Sequence, residues 1–333
     1  MNNIRCAVIG AGRLGMVHAK NIAERVKGAE LTAVVTSRQE SARKAASELG
    51  VDWWTDEPQE VFDSPDIDAV IIASPSPTHA ELIIQAARRN KHIFVDKPIT
   101  ETLEEADEAI KEVENNKVIC QVGFMRRFDP AYAHAKQRIE QGDIGEPIYF
   151  GAVSRDPGAP PEAFIEKSGG IFIDMCIHDY DIARFLMDDE IKSVQSFGTV
   201  LLHPFMKKYD DVDQTATVLE FHNGAVANID ASRNAVYGYD IRAEVVGTEG
   251  AIQIGSIQHH NNIVLKNNIS YHDNIPDFMT KFEAAFLAEI EHFIACVQNG
   301  QTPRIDAKDG KKSLEIANAA LQSFKKKDMV YLS

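Results

Sequence analysis

"IRCAVIGAGRLG", residues 4–15, decides the fold. Its first half is a continuous apolar run with β-branched residues, the pattern of a strand buried on both faces. Its second half sets Gly10, Gly12 and Gly15 in the GxGxxG spacing. Gly10 permits a tight turn, Gly12 lets the backbone approach a pyrophosphate, and Gly15 lets helix and strand pack closely. The helix that follows adds backbone N–H groups and the positive end of its dipole. Gly10, Ala11, Gly12, Arg13 and Leu14 are therefore candidate dinucleotide contacts. A glycine turn that merely packs is the alternative. The setting between a buried strand and a helix counts against it.

Working outward, strand-like runs at 29–36, 68–74, 92–97 and 118–124 alternate with helical patterns at 13–26, 40–49, 78–90 and 101–115. Such alternation with short links predicts a parallel, doubly wound sheet with right-handed crossovers. Trp53 and Trp54 are expected to pack over its edge. After about residue 125 the texture changes. Helices are predicted at 130–141 and 171–187, then strands at 191–202, 213–221, 225–233, 241–247 and 250–255. The turn signals "HNG" and "GTEG" interrupt them. These runs predict an open, mainly antiparallel sheet with one face on helices. Amphipathic helices at 279–298 and 308–326 close the chain, and no chemistry is assigned to His292 or Glu289 in the first of them. The expected fold class is α/β: a Rossmann doubly wound parallel sheet over 1–124, then an α+β domain over 125–333 whose last helix can pack back on the first.

The 333 residues, 44% apolar and 26% charged, have a soluble globular composition. No apolar run approaches the roughly 20 residues of a membrane span, and the N-terminal stretch lacks a secretory h-region. A net charge of −15 argues against nucleic-acid or anionic-membrane partners. Cys6, Cys120, Cys176 and Cys296 form no CxxC and read as reduced thiols of a cytoplasmic protein. No metal is expected. His259 and His260, adjacent on an extended segment, point to opposite sides and chelate poorly.

The end of the second strand distinguishes cofactors. A carboxylate there holds the ribose 2′-OH of NAD. Here Thr36 stands in its place, followed by Ser37 and Arg38. A hydroxyl and a guanidinium accept a 2′-phosphate, so the expected cofactor is NAD or NADP, with NADP accepted. Arg38 stacking on adenine, with NAD used equally well, is the alternative. Further candidate cofactor contacts lie at two more strand ends: Ser74, Pro75 and His79 in "ASPSPTH", and Asp96 and Lys97 in "VDKP". Thr78 is placed to cap the next helix, and a structural role suits His79 better than a chemical one.

The chemical candidates sit in "SGGIFIDMCIHDYDIARFL", residues 168–186. On one continuous helix, residues four apart lie within roughly 40° of each other, so Asp174 and His178 are expected to share a face. An imidazole near its ordinary pKa takes an alcohol proton at neutral pH, and a neighbouring carboxylate orients it. Lys97 is expected to hold the alcohol oxygen. An acid and a histidine merely satisfied in a core are the alternative. Gly169–Gly170 admits close approach by a ligand or another segment. Asp179 and Asp181 are read as structural.

"GAGRLG", "DKP", "GFMRRFDP" and "SGGIFIDMCIHDYDIARFL" together resemble the glucose–fructose oxidoreductase / inositol dehydrogenase / rhizopine-catabolism family over essentially the whole chain. "GFMRRFDP…SRDP…YGYD" resembles its inositol dehydrogenase branch most. The resemblance implies a catalytic set of Lys97, Asp174 and His178. It implies polyol contacts from Lys97, Arg127, Asp156, Asp174, His178 and Tyr237, and a homotetramer built through the open sheet face. "SRDP" replaces the "HRNP" of some relatives, which implies a different inositol isomer preference. The expected activity is NAD(P)-dependent oxidation of an inositol ring hydroxyl, myo- or scyllo-, to the inosose. Its alternatives are another sugar or polyol oxidoreductase, a redox-assisted glycosidase, or a dinucleotide sensor without turnover.

Overall fold

The structure, a computed structural model, describes residues 3–332. They form two compact units. The first runs to Phe128 and takes in Ala284–Lys312; the second is Asp129–Glu283 with the segment from Ser313 onward.

In the first unit, strands β1 (Ile4–Ile9), β2 (Ala29–Val35), β3 (Trp53–Thr55), β4 (Ala69–Ile72), β5 (His92–Asp96) and β6 (Cys120–Gly123) make one sheet in the order β3-β2-β1-β4-β5-β6. All pairs are parallel. The links are helices α1 (Arg13–Glu24), α2 (Gln39–Leu49), α3 (Pro58–Asp63), α4 (His79–Arg88) and α5 (Leu103–Asn116). Strand order reverses between β1 and β4, so their carboxyl ends open a crevice, the usual ligand position in such sheets. The strands are apolar because helices cover both faces: Cys6, Val8, Ile71 and Phe94 are fully buried. Helix α5 starts on a capping box, with Thr102 and Glu105 each bonded to the other's backbone N–H. Trp53 and Trp54 do not lie over the sheet edge; they form its edge strand, paired with Ala33 and Val34.

The second unit carries helices α6 (Pro130–Glu140), α7 (Glu162–Ile165), α8 (Ile171–Asp174) and α9 (Ile177–Met187). Its strands are β7 (Pro147–Arg155), β8 (Ile191–Thr199), β9 (Gln214–Phe221), β10 (Val226–Ser232), β11 (Asp240–Gly247), β12 (Ala251–Ile254), an exposed hairpin of β13 (Val264–Lys266) and β14 (Ile269–Tyr271), and β15 (Val330–Tyr331). Apart from the hairpin they form a seven-stranded sheet, order β12-β11-β7-β10-β9-β8-β15. The interior strand β7 pairs in parallel with β10 and antiparallel with β11, so the sheet is mixed. The sequence reading missed β7. Pro147 and Gly151 weaken its strand signature, and pairing on both sides within the sheet overrides them. Alternation is clear on β9, where Thr215, Thr217, Leu219 and Phe221 are buried while Ala216 and Val218 face out.

Two expectations need correction. The helix foreseen over 171–187 is two helices, because α8 ends at Asp174 and α9 begins only at Ile177. The φ of Met175 departs from helical geometry, and His178 N–H reaches only back to the Met175 carbonyl. The first continuous stretch ends at Phe128, close to the expected boundary, but not all later residues belong to the second unit. The helix α10 (Phe278–Asn299) kinks at Phe282, and its Ile290, Phe293 and Ile294 share the core of Val8 and Ile71. Residue 312, the end of the first unit, falls within α11 (Ala307–Lys326).

Candidate active site

The cofactor half is built at the β1–α1 turn. Gly10 has φ +98°, and a Cβ there would meet the Ala73 carbonyl oxygen at 2.6 Å. Only glycine adopts this turn without strain. A Cβ on Gly15 would overlap the Gly10 carbonyl oxygen, so this glycine sets how closely α1 packs on the turn. At Gly12, by contrast, a Cβ would meet nothing within 4 Å. Helix α1 starts there with no side-chain cap. Open space beside an uncapped helix N-terminus fits a pyrophosphate. The residues present therefore fit a dinucleotide.

Around this turn lie the other expected cofactor residues. Thr36 closes β2, its N–H bonded to the Thr55 carbonyl, and its hydroxyl donates to the Arg38 carbonyl at 2.9 Å. Ser37 and Arg38 are exposed beside it. Ser74 Oγ lies 2.6 Å from Thr78 Oγ1, which donates to the Pro75 carbonyl. That hydroxyl therefore closes the Ser74–Thr78 loop and does not cap α4 as expected. His79 is buried, with Nδ1 2.8 Å from the Pro98 carbonyl and Nε2 2.9 Å from the Ser74 carbonyl. It ties the loops after β4 and β5 together, a linking role. Asp96 accepts the N–H of Lys97, and Lys97 is half-buried at the end of β5. Arg127 is buried in the same unit, donating to the Arg304 carbonyl at 3.1 Å, with Asp309 at 3.6 Å.

A further polar group lies behind this half. His18 on α1 is buried, its Nε2 3.9 Å from Glu289 Oε1 on α10 and its ring edge-on to Phe94 and Phe286. Burial lowers the His18 pKa to about 4 and raises that of Glu289 well above the carboxylate range, with the charge of Asp96 adding to the latter. Burial thus keeps His18 neutral at pH 7 and favours the uncharged form of Glu289. The amphipathic pattern of α10 gave no sign of a buried acid.

The second unit gathers the remaining candidates. Asp174 ends α8, and His178 lies in the first turn of α9, mostly buried. Gly169 and Gly170 have φ of +74° and +81°. The segment that approaches Gly170 is Asp211, whose carboxylate accepts the N–H of Ile171 at 2.8 Å and so caps α8. Arg233, at the end of β10, is 1% exposed. Its guanidinium donates to Asp174 Oδ2 at 3.1 Å and lies 3.7 Å from Asp156 Oδ2. The structure thus brings together Asp156 and Asp174, two expected polyol contacts, through a residue that the sequence reading passed over. Its one signal was a cation closing the strand "VANIDAS". Tyr237 belongs to a neighbouring network, donating to Asp240 Oδ2 at 2.8 Å and accepting from Arg155. Asp179 and Asp181 are buried, and Asp181 accepts from Ser313. Among the described residues no group of His, Cys, Asp and Glu is placed to hold a metal.

Comparison with known proteins agrees with both halves. Residues 4–124 match the NAD-binding Rossmann fold of an oxidoreductase family, and residues 136–332 match its C-terminal alpha/beta domain. The chain is 52% identical over 324 residues to scyllo-inositol 2-dehydrogenase (NAD(+)) of Bacillus subtilis, covering 97% of this chain and 95% of that protein. It is 38% identical to myo-inositol 2-dehydrogenase of Thermotoga maritima, covering 99% and 98%. The crystal structure of scyllo-inositol dehydrogenase from Lactobacillus casei with bound NAD(H) and scyllo-inositol superposes with TM-score 0.94 at 32% identity, covering 99% of each chain. The chain belongs to the Gfo/Idh/MocA oxidoreductase family.

Proposed function

We propose that this chain is an NAD(P)-dependent dehydrogenase that oxidises one ring hydroxyl of an inositol, myo- or scyllo-, to the inosose. The observation that carries this reading is its resemblance, over 97% of its length, to a dehydrogenase of a named inositol. The linked acids of the second unit suit a ligand rich in hydroxyl donors, which carboxylates bind well.

Gly10, Ala11, Gly12, Arg13 and Leu14 hold the pyrophosphate. Thr36, Ser37 and Arg38 hold the adenosine ribose, and Ser74, Pro75 and Asp96 line the way to the nicotinamide. That ring, when bound, supplies the hydride acceptor. Lys97 polarises the reacting oxygen and favours loss of its proton. His178 takes that proton, and Asp174 orients the imidazole and stabilises its charged form. Arg127, Asp156 and Tyr237 contact the other hydroxyls. Because Thr36 offers a 2′-phosphate no opposing carboxylate, NADP is accepted as well as NAD.

Assembly is proposed as a homotetramer in the cytoplasm, through the outward sheet face. Val218 and Val226 stand 46% and 43% exposed there. Light scattering should read four chains; a monomer would refute this. The functional test is a screen of myo-, scyllo- and chiro-inositol, glucose and xylose with each cofactor, followed at 340 nm. An inositol should give the highest kcat/KM, with measurable NADP turnover. Best turnover of a sugar, or none at all, would overturn the substrate assignment, and strict NAD dependence would overturn the cofactor one.

A further inference from the structure

We infer that Arg233 is a positioning residue, which holds Asp156 and Asp174 as a pair of carboxylates at the floor of the polyol half-site. The inference rests on the function proposed above. A guanidinium does not shed its proton in a protein, and a buried one is costly unless acids face it. Arg233 is such a group. Its side chain is 1% exposed, whereas those of Asp156 and Asp174 are 29% and 20% exposed. The cation therefore lies beneath, and the two acids lie toward solvent.

The elements around Arg233 show that this pairing is built in. Asp156 follows β7, its N–H bonds the Ser232 carbonyl at 2.8 Å, and its carbonyl accepts from Ala235. The loop bearing the acid is thus stitched to the strand end bearing the arginine. Arg233 N–H is fixed in turn by the Asp213 carbonyl at 2.9 Å. Two more acids stand close in sequence to that anchor, and each accepts backbone N–H groups. Asp213 accepts the N–H groups of Leu201, Leu202 and His203. Asp211 accepts those of Ile171 and Val212. The fork meets Asp174 through one terminal nitrogen and Asp156 through the other.

The consequence reaches the chemistry through the acids. Asp174 ends α8 just before the break that leads to His178, so its rotamer is not set by a continuous helix. The ion pair from a strand end adds a restraint on that carboxylate. Asp156, held by the same fork, keeps a fixed spacing from Asp174, and that spacing selects which pair of ring hydroxyls is gripped. Misplacement of such groups by about 1 Å costs roughly a hundredfold in rate.

The test compares the full-length wild type with Arg233→Gln and Arg233→Lys on the best inositol. NADH binding is measured separately by fluorescence titration. Arg233→Gln should lose about a hundredfold in kcat/KM, divided between a lower kcat and a higher inositol KM, with NADH affinity within twofold of wild type. Arg233→Lys, which keeps the charge and loses the fork, should recover about tenfold of that loss. Turnover within threefold of wild type in Arg233→Gln would overturn the inference. So would equal losses in both variants with a parallel loss of NADH binding, the mark of general misfolding. If Arg233→Gln does not fold, Arg233→Lys carries the test alone: about a tenfold loss supports the inference, and less than twofold refutes it. A wild type inactive on every inositol would sink the functional reading itself, whereas an active wild type with unaffected variants sinks only the role of Arg233.

Discussion

Gly10 and Gly12 occupy one loop and carry different loads. Gly10 holds a φ of +98° with the Ala73 carbonyl against it, so Gly10→Ala attacks the fold. Gly12 faces open space, so Gly12→Ala should leave thermal stability nearly unchanged and weaken NAD binding at least tenfold. Melting curves and a cofactor titration on both variants separate the effects. An NAD affinity unchanged in Gly12→Ala would remove that residue from the pyrophosphate site. These residues were legible because phosphate binding needs backbone, and glycine is the sequence mark of exposed backbone. Arg233 was not legible. One arginine at a strand end reads as a solvated charge until the fold sets Asp156 and Asp174 against it. His79 stands between: its position was readable, but its grip on the Ser74 and Pro98 carbonyls depends on two loops far apart in sequence.

At the scale of elements, α1 and α10 meet at a buried acid–imidazole pair within an apolar core. His18 faces Phe94, Phe286 and Glu289, and burial lowers its pKa from 6.5 to about 4. Between those values the unfolded chain binds more protons than the folded one, so this group's contribution falls as pH falls. Relative to His18→Gln, the wild type should lose about 3 kcal/mol between pH 7 and pH 4. Urea denaturation at both pH values reads the difference, and a constant gap would show that His18 is not a buried neutral base. Glu289 acts in the opposite sense, because its raised pKa favours the folded state at low pH. The comparison with His18→Gln cancels that contribution. Helix α10 was readable as a helix from its period, but its buried acid was not, since one glutamate among apolar residues fits a solvated stripe equally well. The break between α8 and α9 was also hidden. Apolar spacing continues across Met175–Cys176, while backbone dihedrals leave no mark in the sequence.

At the scale of the whole molecule, five strands of the parallel sheet were readable because each is built on an apolar run and the links are short, whereas the three-residue edge strand β3 was not. The second sheet was readable as a sheet but not in its topology. Strand β7 pairs with β10 across 77 residues (Val226 with Tyr149), and no local signal encodes a partner that distant. The division of the chain was half visible. The texture change near residue 125 was plain, but the membership of Ala284–Lys312 in the first unit is a fact of packing. The proposed reaction depends most on His178 as the base that takes the alcohol proton. The most direct measurement is single-turnover oxidation of the preferred inositol by wild type and His178→Ala, with NADH affinity as the control. The account predicts that the rate falls about 10²–10⁴-fold while NADH binding holds. A rate within a few-fold of wild type would contradict it.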